Sequence, residues 1–160
     1  MHTPEQRAAL IANIRALPDL LAAAVSSWND AQLDYRPAPE EWSARQIIHH
    51  VADSHMNAFI RMKLALAEDT PTIKPYDQEV WAEMVDTLES PIEDSLLILD
   101  GLHARWVLLW ESLSDPQFAH VYYHPESQRQ VTLDEHLAYY SEHGLSHIQQ
   151  IDRIAQEQGW

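Results

Sequence analysis

Apolar residues return at three- and four-residue spacing through four long stretches of the chain, the period of an amphipathic α-helix. The first stretch covers about residues 4–27, with Leu10, Ile14, Leu17 and Leu21 on one side. Thr3 is its N-cap candidate and Pro4 its first helical residue. Pro18 falls inside the pattern, has no N–H to donate, and is expected to kink or interrupt this helix. The second stretch runs over about 43–68 and starts at Ser43 as cap. The third, about 91–113, has Ser90 as cap, Pro91 first, and Glu93 and Asp94 where the helix dipole favours acidic groups. The fourth, about 132–158, opens with Thr132 followed three residues later by Glu135, the spacing of a capping box.

The connections differ in kind. The segment after the first helix is turn-rich, with Pro37 and Pro39. Residues 69–90 contain Thr70, Pro71 and Pro75, with a short helix expected around 79–85. This segment is too long for a tight connection and is expected to cross the bundle. Residues 115–131, with Tyr122, Tyr123 and Pro125, read as irregular, extended chain. Only three glycines occur in 160 residues, which favours helices over sheets whose tight turns need them. These features predict an all-α fold, a four-helix bundle with a long crossover connection and no sheet, as a single domain over residues 1–160.

Charge narrows the partners. Lys and Arg number 10 against 25 Asp and Glu, a formal charge of −15. Nucleic acid and anionic membrane surfaces need basic side chains and are not expected partners. The 46% hydrophobic content, with six tryptophans, is too rich for a disordered acidic chain. No cysteine is present, which removes disulfides, thiolate ligands and a cysteine nucleophile. No basic segment followed by an apolar run marks the N-terminus, and no apolar stretch reaches the roughly 20 residues of a membrane span. The expected location is cytoplasmic.

Ten histidines are the chemistry left to place. His143 and His147 lie four apart on the fourth helix, on one face and about 6 Å apart along the axis. Chance alone supplies about 0.6 such pairs in a chain of this composition, so the spacing is a weak signal. A second pair, His120 and His124, sits in the non-helical stretch. His136 shares the face of His143 but is about 10.5 Å away along the axis, too far to join it on one ion. A third ligand must come from another helix. On the second helix Gln46, His50, Ser54, Asn57 and Arg61 form a narrow polar stripe on a surface otherwise apolar nearly all round. That stripe either faces solvent or lines a polar cleft into which His50 points. His49 lies 100° away from it, and His55 falls on the apolar side as a packed core histidine. Three neutral imidazoles with coordination positions left open is the pattern of catalytic rather than structural zinc.

The run W-S-A-R-Q-I-I-H-H-V-A-D-S-H from Trp42 to His55, with E-D-T-P-T-I-K-P-Y from Glu68 to Tyr76, resembles the YfiT-type branch of the DinB superfamily. L-H-A-R-W-V-L-L from Leu102, Y-H-P-E from Tyr123, and T-L-D-E-H-L-A-Y-Y-S-E-H-G-L-S-H from Thr132 continue the match over about residues 40–151. The resemblance implies a four-helix bundle, a homodimer, and a mononuclear site for one divalent metal. Its ligands fall on His50, eight positions after the tryptophan, and on His143 and His147.

Zinc is the first candidate and nickel the second, although imidazole also suits copper and iron. The resemblance implies a metal-dependent hydrolase acting on a small-molecule substrate through metal-activated water. A second reading is an S-transferase that activates a low-molecular-weight thiol of the bacillithiol type. A third is a non-catalytic stress-response or binding module stabilised by its ion. Candidate catalytic residues are Asp53, one turn from His50 but 60° off the stripe, and Glu142, beside His143. Arg61, at the end of the stripe, is the candidate for holding a thiol cofactor's carboxylates.

Overall fold

A computed structural model describes all residues 1–160 and contains the four long helices: α1 (Pro4–Ala24), α3 (Ala44–Ala67), α6 (Ile92–Glu111) and α7 (Leu133–Gln158). Three of them begin as their sequences predict. Thr3 with Gln6, Ser43 with Gln46, and Thr132 with Glu135 each form reciprocal capping boxes, satisfying N–H groups that have no partner within the helix. The third begins one residue later than predicted, with Pro91 itself as cap and no side-chain cap bond. Four short helices interrupt the connections: α2 (Asp30–Leu33), α4 (Gln78–Ala82), α5 (Val85–Glu89) and a 3-10 turn at Asp115–Ala119.

Side-chain pairing sets the helix directions. His49 meets Ser95, His55 meets His103 and Trp106 meets Met62, so α3 and α6 run parallel as neighbours. Arg7 meets Asp134 and Asn13 meets Ser141, so α1 and α7 are also parallel. His50 against His147 and Arg61 against Tyr140 make α3 antiparallel to α7. The bundle is therefore up-down-down-up. Two parallel neighbours cannot be joined by a short turn, so residues 68–91 must travel back along the bundle. This is the long crossover, and α4 and α5 lie within it.

Two expectations are corrected. Residues 121–132 form an antiparallel hairpin, β1 (Val121–His124) and β2 (Arg129–Thr132), where no sheet was expected. Glycine scarcity misled because Gln128 adopts the left-handed conformation (φ 51°) that a hairpin turn often gives to glycine. Thr72 bridges to Tyr123, fastening the start of the crossover to this hairpin. Pro18 does not interrupt α1, which is helical from end to end.

The buried interior is two apolar bodies. One gathers Met62, Trp106, Trp110, Leu133 and Leu137 towards the hairpin. The other gathers Leu17, Leu21, Ile47, Ile48, Leu99 and Ile151 towards the opposite end. A layer of histidines lies between them on α3, α6 and α7.

Candidate metal centre

The polar stripe of α3 faces inward. Gln46, His50, Ser54 and Arg61 are buried and Asn57 is half-buried. Gln46 caps its own helix and donates its amide to the carbonyl of Ala82 (2.9 Å), which holds the crossover against α3.

His50, His143 and His147 converge. Nε2 of His143 lies 3.4 Å from Nε2 of His50 and 3.2 Å from Nε2 of His147, and one ligand atom from each ring falls within 4.8 Å of the others. Tetrahedral zinc with Zn–N bonds of 2.0–2.1 Å separates its nitrogens by about 3.3–3.4 Å, so these spacings suit a shared ion. Nδ1 of His147 donates to Oε1 of Gln150 (2.8 Å), which leaves its Nε2 lone pair free. Burial, followed by the neighbouring His147, pushes the pKa of His50 down to about 3. His143 is pushed to about 3 for the same leading reason, with His147 and His50 adding to it. Neutral imidazole is the form that binds metal, so burial keeps these rings in the form a metal site needs.

These rings form the floor of a cavity of about 400 Å³. Trp42 packs on His50 with ring centroids 4.6 Å apart, and Tyr139 stacks on His143 at 5.8 Å. Gln78 and Glu79 come from the crossover, and Glu40, Glu41 and Arg153 complete the polar rim. Glu41 and Arg153 pair with each other. Glu79 accepts from the indole N–H of Trp42 (3.2 Å) and is thereby held at the rim.

The other sequence candidates lie elsewhere. Asp53 is half-buried, and burial followed by nearby Asp86 raises its pKa to about 6. Glu142 is exposed. Arg61 is enclosed, donating to the Tyr140 hydroxyl (3.2 Å) and the Lys74 carbonyl (3.3 Å). None of the three lines the cavity. His49 is bonded to Ser95, His136 to Tyr122, and His120 to the Ala65 carbonyl, each away from the cluster. Sequence reasoning missed Glu79, because nothing local shows that the crossover brings α4 to the mouth of the site.

Comparison with known proteins identifies the family. The sequence profile of the DinB superfamily matches residues 13–151. The chain belongs to the DinB superfamily. A Bacillus subtilis relative named "Putative metal-dependent hydrolase YfiT" is 40% identical over 156 residues, covering 98% of this chain and 88% of that protein. A Geobacillus kaustophilus relative, also named a metal-dependent hydrolase of that standing, is 43% identical over 151 residues, covering 94% and 84%. The solved structure of YfiT from Bacillus subtilis, described as "a probable metal-dependent hydrolase with an unusual four-helix bundle topology", superposes with a TM-score of 0.97 at 39% identity. The match covers all of this DinB chain and 91% of that one.

Proposed function

We propose that this DinB-superfamily protein is a mononuclear metal-dependent hydrolase whose ion is held by His50, His143 and His147. The observation that carries the reading is the convergence of three neutral imidazoles, 3.2–3.4 Å apart along the cluster, on the floor of an open cavity. Zinc is the expected ion and nickel the second. Bound there, a divalent cation would supply Lewis acidity and lower the pKa of a coordinated water.

The chain's own residues do the rest. Gln150 keeps Nε2 of His147 available, Trp42 packs on His50, and Tyr139 packs on His143. Glu79, which lines the cavity and is held there by the Trp42 indole, is the carboxylate proposed to take a proton from water entering the cavity. Water is the nucleophile in this reading, and a small thiol would compete with it for the same open position.

Elemental analysis of the purified protein beside the His50→Ala variant tests the site. About one ion per chain, lost in the variant, is the expected result, and stoichiometric metal retained in the variant would overturn the ligand assignment. Turnover assays separate the two chemistries. Hydrolysis of small esters or amides without added thiol is expected, whereas turnover only when a low-molecular-weight thiol is supplied, with a thioether as product, would replace this reading with S-transfer.

The resemblance to YfiT-like proteins also leads us to expect a homodimer. Leu97 and Leu108 are 72% and 70% exposed on one face of α6, and we propose this face as the one a second copy covers. Light scattering should report a dimer for the native chain and a monomer for Leu97→Glu combined with Leu108→Glu.

A further inference from the structure

His143 has a second nitrogen, and what it touches runs deep into the bundle. Its Nδ1 lies 3.2 Å from Nε2 of His55, Nδ1 of His55 lies 2.9 Å from Nε2 of His103, and Nδ1 of His103 lies 2.6 Å from the carbonyl oxygen of Ile14. His55 is fully buried, His103 is 2% exposed, and their rings lie within 2° of parallel. Three helices contribute, α7, α3 and α6, and a backbone oxygen of the fourth ends the series.

That oxygen decides every proton in the row. A carbonyl only accepts, so His103 must carry its proton on Nδ1, and a neutral ring then has Nε2 bare. Bare Nε2 of His103 accepts from Nδ1–H of His55, whose own Nε2 is bare in turn and accepts from Nδ1–H of His143. The remaining lone pair of His143 sits on Nε2, the atom that meets His50 and His147. In the other direction the row would place two N–H groups or two lone pairs face to face.

The Ile14 oxygen is available for a specific reason. In an α-helix it would accept from the N–H of residue 18, and residue 18 is proline, which has none. We propose that Pro18, through the freed Ile14 carbonyl, sets a histidine relay of His103 and His55 that fixes Nε2 of His143 as the metal-facing atom. His55 and His103 are positioning residues. They touch neither substrate nor ion, and they act by holding one tautomer and one ring orientation of a ligand. The relay ends on a carbonyl and is not a route for protons through the bundle. It rests on the three-histidine reading only for the purpose it serves, since the proton order stands without metal.

Long-range proton–nitrogen NMR of the metal-free protein, labelled at histidine, reads the tautomers directly. Nδ1–H with bare Nε2 is expected for both His55 and His103, and Nε2–H on either ring would overturn the relay. Cobalt affinity reads the consequence. His103→Leu is expected to bind cobalt 10- to 100-fold more weakly while remaining folded by circular dichroism. His103→Gln, whose amide can donate to Ile14 and accept from His55, is expected to recover most of the loss. A folded His103→Leu protein binding within twofold of the parent would overturn the claim. Should that variant not fold, the parent's tautomers decide. A parent that takes up no cobalt would refute the metal site, and the NMR result would still judge the relay.

Discussion

Histidine in this chain does several different jobs, and substitution should separate them. His50→Ala, His143→Ala and His147→Ala are each expected to abolish stoichiometric metal uptake, while His49→Ala and His136→Ala retain it, with elemental analysis as the check. His49 and His136 are buried too, but their bonds go to Ser95 and Tyr122. Burial alone does not make a ligand. That His50 and not His49 meets His143 was legible because one helical step rotates a side chain by 100° and moves it off the polar stripe. His55 was legible as a buried residue and no further. Its bonds depend on the register of α3 against α6 and α7, which no local pattern encodes. Glu79 was invisible for a related reason: its place is set by the path of the crossover. Glu79→Gln is expected to lower turnover by 10²–10⁴-fold with metal content unchanged, in keeping with loss of a proton-transferring group. Unchanged turnover would remove Glu79 from the chemistry.

At the scale of elements, packing of α1 against α7 is tight enough to test. Gly144 lies between His143 and His147 on α7, and a Cβ built there would come within 2.4 Å of the buried Leu17 side chain on α1. Gly144→Ala should gain up to about 1 kcal/mol of helix propensity and lose about 1–3 kcal/mol to overpacking. A net loss is expected, seen as a lower urea midpoint, and an unchanged or raised midpoint would show that Leu17 yields easily. The four long helices and three of their caps were readable because apolar spacing and capping boxes are local signals. Helix α2 and the hairpin were not, because four-residue elements carry little periodicity and the hairpin turn is made with Gln128 instead of glycine. Pro18 was seen, but the interruption it could have caused does not occur: α1 loses one hydrogen bond and continues.

Over the whole molecule, the buried imidazoles tie stability to pH. His136 is 1% exposed, and burial, with Arg61 adding to it, lowers its pKa from 6.5 to about 3. Between those values the unfolded chain binds a proton that the folded chain refuses, so stability is full above pH 6.5 and falls as the pH drops towards 3. For His136 the loss at pH 5 is about 2 kcal/mol. His55, held well below its usual value by burial and by the surrounding histidines, acts in the same direction. The urea midpoint of metal-free protein is therefore expected to drop between pH 7 and pH 5, and a flat profile would contradict the neutral layer. Asp134 extends the decline at lower pH. Burial opposes its charge, but Arg7 and the His2 amide hold its pKa below the usual range, so its contribution is lost as it protonates. The bundle and its crossover were readable from segment lengths, whereas the up-down-down-up order needed the cross-helix pairs.

The crossover has one more consequence. The three converging histidines belong to α3 and α7, whereas part of the rim above them, Gln78 and Glu79, belongs to a strap that returns along the outside of the bundle. In the proposed reading, holding an ion and choosing what reaches it are thus written in separate stretches of the chain. Such a layout lets the strap be rewritten while the bundle stands still, so that one scaffold can be retuned to new small molecules by editing about twenty contiguous residues.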